Sequence, residues 1–450
     1  MTQWSFLRTA LLLCAGLVLA CLPALCQVDT TATDTGGASG DDVQMRVPPP
    51  VSGQAYPTEY AGGTEQNYWR GGFTVSSGYS SNVTGGTNPV GDMSYSFWPS
   101  IALDRVTTQS HIVLSYSPGF TVYQKTSGYN QANQNLTANL QYRFSETLSI
   151  SVREGFQQTS NIFDQPNPLS ALPVFGSVPT SGIGVIAPFA DQINNATAVQ
   201  VTDQVGATSM LGVGGSFANQ NYLNSEQASG LYNSRSEGAS AFYSRRLGEK
   251  YYIGANYQFQ NVLSYEGNAS DTHIQTQTVS AFLSVYLRPR LSVSVSVGPQ
   301  HYSATQPPFP AASSWSPLLT VSAGWQGERT AVAGSFSRIV SGAGGLNGVF
   351  QSTSVGASFN WKVSRNWNTG VAASYSNNTS VSPLFLSSSG GRTVLGTVSA
   401  QRALGEHATV QFGYSWTNQN YDQIAAIASA PNTNRFSVSL NYQFMKPLQK

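Results

Sequence analysis

Residues 290–302 read RLSVSVSVGPQHY. Val293, Val295 and Val297 alternate with Ser292, Ser294 and Ser296. Successive side chains of a β-strand point to opposite sides, so this ribbon has one apolar edge and one hydroxyl edge. A soluble sandwich satisfies such a strand with core on one side and bulk water on the other. A transmembrane barrel satisfies it with lipid outside and a water-filled lumen inside.

The same period recurs from Tyr68 to the end of the chain. Leu136, Ala138, Leu140 and Tyr142 oppose Thr137, Asn139, Gln141 and Arg143. Tyr251, Ile253, Ala255, Tyr257 and Phe259 oppose Gly254, Asn256, Gln258 and Gln260. Val355, Ala357, Phe359 and Trp361 oppose Ser354, Gly356, Ser358 and Asn360. One edge is apolar with aromatics toward its ends. An amphipathic ring prefers a lipid–water boundary, and a soluble core has no reason to place rings there.

Composition points the same way. Only 10% of the 450 residues are charged and the formal net charge is +1. A large soluble protein carries about a quarter charged residues, and nucleic-acid binding needs a basic surplus that is missing here. Polarity comes mostly from Ser, Thr, Asn and Gln.

The N-terminus reads as a targeting segment over residues 1–26. Arg8 precedes the apolar TALLLCAGLVLACLPAL, and polar sequence begins at Gln27, the pattern of a secretory signal peptide. A membrane anchor is disfavoured because the run is short and interrupted by Pro23. A lipoprotein box at Val18-Leu19-Ala20-Cys21 is disfavoured because apolar sequence continues past it. Cys14, Cys21 and Cys26 all fall in this segment, so cleavage would leave no disulfide to stabilise the mature chain. Residues 27–65, rich in Gly, Pro, Ser and Thr and without periodicity, read as a flexible periplasmic linker.

The connections give the strand directions. Tight charged turns recur in LDRVTTQ, YRFSETL, VTDQVGATS, RRLGEKY, RPR, QGER, KVSRNW and RALGEH. Between them lie pairs of strands joined by longer Gly-, Ser-, Asn- and Pro-rich stretches such as SATQPPFPAASSW. Alternating short and long loops are the asymmetry of an outer-membrane barrel, with periplasmic turns and extracellular loops. The reading gives eighteen strands, at roughly 67–78, 93–103, 109–122, 133–144, 147–158, 194–203, 208–219, 234–245, 250–262, 272–287, 290–302, 317–326, 329–340, 348–362, 366–377, 391–402, 407–418 and 434–444. The pattern is thinnest at 194–203 and 208–219, and losing that pair would leave sixteen. Glu154 falls on the lipid-facing parity, which predicts a bulge or a register change there.

In the last strand Phe436, Val438, Leu440, Tyr442 and Phe444 alternate with Ser437, Ser439, Asn441 and Gln443. Here the chain resembles the outer-membrane β-barrel proteins of Gram-negative bacteria. In plan it is similar to β-barrel porins, some of them linked to exopolysaccharide export. The resemblance implies an all-β, antiparallel up-and-down barrel over 66–444 in the cell outer membrane. It also implies contact with lipid and lipopolysaccharide and a last strand read by the barrel-assembly machinery. The extension MKPLQK, 445–450, departs from the usual terminal aromatic.

Catalytic and metal signals are weak. His111, His273, His301 and His407 are scattered over different strands, and no HExxH spacing occurs. Gly182-Ile183-Gly184-Val185-Ile186-Ala187 matches a dinucleotide pattern formally, but it lacks the βαβ setting and Pro188 follows. No GxSxG elbow appears. The expectation is therefore no enzyme, no cofactor and no metal.

The longest connection, 159–193, reads as the third outer loop and as a candidate lumen constriction, with Asp164, Phe175 and Asp191 as its candidate residues. An exposed cap or partner surface is the competing reading. Arg70, Arg153, Asn139, Gln141, Asn256, Gln258 and Asn360 have lumen parity and are the pore-lining candidates. The two arginines read either as the source of a slight preference for anions or, equally, as salt-bridged structural residues. The expected function is a porin-like channel for passive passage or export of small polar or saccharide solutes. The alternatives are a closed structural or adhesive barrel binding through its loops and, less favoured, an outer-membrane enzyme. A homo-oligomer is left open.

Overall fold

A computed structural model describes residues 67–83, 88–159, 191–224, 230–265, 271–288, 290–308, 310–342, 348–381, 390–421 and 432–448. The targeting segment, the linker and the GxGxxA stretch lie outside these residues. The first six strands are β1 Tyr68–Ser80, β2 Asp92–Val106, β3 Ser110–Tyr123, β4 Gln131–Arg143, β5 Leu148–Thr159 and β6 Gln192–Gln204. Next come β7 Ser209–Tyr222, β8 Asn233–Arg246, β9 Tyr251–Tyr265, β10 Thr272–Arg288, β11 Leu291–Thr305 and β12 Ala312–Gln326. The last six are β13 Thr330–Gly342, β14 Val349–Lys362, β15 Trp367–Ser380, β16 Gly391–Ala403, β17 Ala408–Tyr421 and β18 Thr433–Pro447.

Each strand pairs antiparallel with its sequence neighbours, and β1 pairs with both β2 and β18, so the sheet closes on itself. Closure leaves no free sheet edge, which is what lets a sheet cross hydrocarbon with its backbone groups satisfied. The strands at 192–204 and 209–222 are both present in unbroken register, so the count is eighteen rather than sixteen. β18 runs past Phe444: Met445, Lys446 and Pro447 pair with Arg70, Trp69 and Tyr68. The pairing therefore takes in part of the short C-terminal extension.

The wall has the two faces that alternation demands. Phe73, Val75, Tyr95, Phe97, Ile101, Phe120 and Val279 face outward and are exposed, whereas Thr74, Ser94, Ser96, Thr121 and Ser280 face inward and are buried. In the Val–Ser stretch of β11, Ser292, Ser294 and Ser296 are buried on the inner face while Val297 is 55% exposed on the outer one. Aromatic pairs bound the outer belt: Trp69 and Tyr79 on β1, Trp315 and Trp325 on β12. Each pair is separated by a strand length that, tilted as in a barrel, spans about 25 Å.

Packing inside the wall pairs large rings with small neighbours. Trp98, on the inner face of β2, is 1% exposed and lies flat over Gly119 of β3. A Cβ at that glycine would sit 2.3 Å from the indole. The turns at the short-loop end use Gly206 (φ 81°) and Gly405 (φ 102°), the left-handed conformation that glycine adopts without strain.

The bulge expected at Glu154 is absent. The β4–β5 and β5–β6 registers run unbroken through Ala138↔Glu154↔Thr197, and the carboxylate faces outward. It is accommodated by hydrogen bonds rather than by a backbone shift. Asn195 Nδ2 donates to one oxygen at 2.5 Å and the Thr197 hydroxyl donates to the other.

Candidate functional site

The barrel departs from regularity at its long-loop end, between β12 and β13. Their pairing stops at Leu319↔Arg338. Beyond that point β12 continues with β11 alone, to Ala304↔Ala312, and β13 continues with β14 alone, to Gly342↔Val349. Pro317 lies in the part of β12 that has lost its partner, facing Pro299 across the β11–β12 ladder. Proline has no N–H to donate, which suits it to a strand edge.

The free end of β13 folds inward. The side chain of Gln300, on the inner face of β11, takes over the backbone bonding of Val340. Val340 N–H donates to Gln300 Oε1 at 2.8 Å, and Gln300 Nε2 donates to the Val340 carbonyl at 2.7 Å. Val340 and Val349 share the strand parity of the outward-facing Val332 and Phe359. At this height, however, they pack against Val262, Ile274, Tyr302 and Ala304, which belong to the inner face of β9–β11, and all six are buried. The outer face of the β13–β14 hairpin thus rests on the inner face of the neighbouring wall segment, β9–β11. Val381 joins the cluster, donating its N–H to the Val349 carbonyl at 3.0 Å and accepting from the Tyr302 hydroxyl at 3.3 Å.

Gly342 permits the approach, since a Cβ there would lie 2.8 Å from Val262 Cγ1. Full burial of a valine or isoleucine side chain contributes about 1.5–3 kcal/mol, and two buried backbone groups are satisfied only by Gln300. The hairpin is therefore a built feature of the mouth, held by an apolar patch and one amide.

The pore-lining candidates distribute along the rest of the inner face. Asn139, Gln141 and Arg153 lie on the inner parity of β4 and β5 and are exposed. Asn256 and Gln258 on β9 and Asn360 on β14 lie on the inner parity and are half-buried. Arg70 sits at the short-loop end of β1, donating to the Tyr68 hydroxyl at 3.1 Å with its guanidinium 5.0 Å from that ring. Arg143, Arg246, Lys362 and Arg435 share the inner parity, against Asp92 and Asp104, so cations outnumber acids there among the described residues. Asp104 is engaged with His111 at 3.2 Å. Asp92, at the long-loop end of β2, accepts from the Lys125 and Thr126 N–H groups and from the Thr126 hydroxyl, pinning the β3–β4 connection.

Of the constriction-loop candidates, Asp164 and Phe175 lie outside the described residues. Asp191 stands at the start of β6, its carbonyl accepting from Leu223 N–H at 2.7 Å. The histidines are dispersed: His301 contacts Trp315 and His407 contacts Tyr442. Among the described residues no group of three His, Cys, Asp or Glu is placed to hold a metal ion.

The inward hairpin was not read from sequence, although signals exist. Ile339-Val340 and Val349-Phe350 put apolar residues on both parities at consecutive positions, and Pro317 interrupts a strand. Both mark a segment buried on two sides beside an edge.

A closed antiparallel barrel with a hydroxyl-lined interior and an apolar belt bounded by aromatics defines a transmembrane β-barrel of the outer-membrane type. Solved structures with similar folds include the ferric citrate transporter FecA (9% identity, TM-score 0.44), covering 84% of this chain and 64% of FecA. They also include OpdQ of Pseudomonas aeruginosa (10% identity, TM-score 0.40), covering 86% of this chain and 100% of that one. OccAB4 of Acinetobacter baumannii is similar at 8% identity and TM-score 0.39, covering 85% of this chain and 99% of its own. The chain thus spans less than two thirds of FecA. No family model and no curated protein sequence matches the chain.

Proposed function

We propose that the protein is an outer-membrane channel for small polar solutes whose outer mouth is narrowed by the β13–β14 hairpin. The observation that carries this reading is the inner face. It is lined by Ser, Thr, Asn and Gln side chains with few charges, a surface suited to hydrated neutral solutes such as saccharides. The surplus of Arg and Lys on that face favours anions over cations among small ions. In this topology the tight turns are periplasmic and the long loops, with the hairpin, extracellular. Transfer, by passage or by export, needs no catalytic group, and the reading assigns none.

Planar-bilayer recording of the purified full barrel tests the proposal. Discrete conductance steps, with a reversal potential on the anion side in a salt gradient, are expected. Silence from protein shown to be folded by its heat-modifiable migration would overturn the channel and favour a closed scaffold acting through its loops. Saccharide passage is tested separately by swelling of proteoliposomes in iso-osmotic sugar.

A further inference from the structure

The wall is split over the upper part of the apolar belt, between β12 and β13. At the base of β12, Gln326 N–H donates to the Arg290 carbonyl at 2.8 Å, and Gly327 N–H donates to the Thr330 carbonyl at 2.6 Å. Backbone groups alternate sides along a strand. Both registers are unbroken, so the odd residues of β12 turn their backbone toward β13. Leu319↔Arg338 is the last pair bonded in this way, and the next would be Pro317 with Val340. Proline accepts from a Val340 N–H in that position but has no N–H for the Val340 carbonyl. The Gln300 side chain supplies both bonds instead. Measured along β12 alone, Leu319 stands roughly 15 Å above Trp325 and Trp315 about 25 Å above it, so the seam lies in the outer-leaflet part of the belt.

The lips of the seam are apolar. Between Leu319 and Trp315 only the Pro317 carbonyl turns to the open side, one polar backbone group in hydrocarbon. Leu319 faces outward. Leu318 and Ile339 have inner parity and are partly buried, whereas lower on the same two strands that face carries Thr320, Ser322, Ser335 and Ser337. Arg338 stands at the foot of the seam on the outward parity. Its Nε is shielded without a hydrogen-bond partner, and no ion pair among the described residues includes it.

We propose that the seam is a lateral opening through which a molecule with an alkyl chain and an acidic head moves between the outer mouth and the outer leaflet. Lips that are apolar toward lipid and toward the lumen give a chain continuous hydrocarbon contact, which the hydroxyl-lined wall elsewhere does not. A guanidinium without an acid at that depth is matched by a carboxylate, which it binds through two parallel N–H bonds. Polar solutes travel along the barrel axis, and the seam adds a sideways route that stands whether or not the lumen conducts.

Uptake of a fluorescent dodecanoate by intact cells tests it, with cells lacking the barrel as the baseline. Cells bearing the parent barrel are expected to take the probe up faster. The double variant Leu318→Asn, Ile339→Asn makes the lumen-side lips polar and is expected to return uptake to the baseline while keeping heat-modifiable migration. Arg338→Gln is expected to slow uptake and Arg338→Lys, which keeps the charge, to retain it. In the purified barrel in lipid, a bimane label on Leu318→Cys is expected to be quenched by brominated acyl chains despite its inner parity. A label on Ser322→Cys, where the wall is paired, is expected not to be. Four results would each overturn the opening: equal uptake with and without the barrel; a double variant as fast as the parent; Arg338→Gln and Arg338→Lys behaving alike; or labels at 318 and 322 quenched equally or not at all.

Discussion

Replacing Gln300 with leucine removes both bonds to Val340 while keeping similar bulk at the same place on β11. If the hairpin stays folded inward, the Val340 N–H and C=O are left buried and unpaired. Each such group costs about 1–3 kcal/mol, or roughly 2–6 kcal/mol for the pair. Swinging the hairpin out to water relieves that cost but gives up the apolar cluster of Val262, Ile274, Tyr302, Ala304, Val340 and Val349. The substitution leaves the cluster in place, so the whole penalty bears on the balance between the two positions. At 1.4 kcal/mol per tenfold, the inward population falls relative to the outward one by roughly 30-fold at the low end of the range. In single-channel records Gln300→Leu is expected to lengthen dwell in the larger conductance level by at least about that factor. Gln258→Leu, lower on the inner face of β9, serves as control and should leave dwell times alone. Equal dwell times and equal levels in Gln300→Leu and parent would refute the assignment of the hairpin as the narrowing element.

Other substitutions probe other parts of the account. Gly342→Val puts a methyl-bearing carbon against Val262 and should shift the hairpin outward too, with the same change in dwell; a tighter closed level would contradict it. Arg153→Glu changes the inner face by two charges. At about 7 Å in water each contributes about 0.6 kcal/mol, and salt removes about half; the change disfavours the anion and favours the cation by about 0.6 kcal/mol each, so the anion-to-cation permeability ratio should fall about sevenfold. An unchanged reversal potential would place Arg153 away from the ion path. Gly119→Val drives a side chain into the Trp98 indole. The barrel should lose about 1–3 kcal/mol, read as a lower urea midpoint for folding into vesicles; an unchanged midpoint would show that the ring moves aside freely.

Much of the fold is legible because a barrel strand writes its surroundings into every second residue. Even the thin pattern at 194–203 holds, because Val199 and Val201 outward and Thr202 inward suffice to set the faces once neighbouring strands fix the register. Parity also places Arg153, Asn139 and Gln141 on the inner face without any structure. What parity cannot show is a strand that changes layers. Val340 and Val349 keep the period of lipid-facing residues, yet the hairpin carries them into the barrel, where their neighbours come from strands far away in sequence. Glu154 fails in the opposite sense. Its parity is outward as read, but the compensation comes from Asn195 and Thr197 across the ladder, and pairing of that kind is not visible along one strand.

Site-directed spin labels at four successive positions of β4 test the central claim most directly. With the barrel in lipid, labels at Ala138 and Leu140 should be reached by oxygen and screened from a polar nickel reagent, while labels at Asn139 and Gln141 should show the reverse. If all four respond alike to the polar reagent, the apolar face is not in hydrocarbon and the membrane-spanning barrel is wrong.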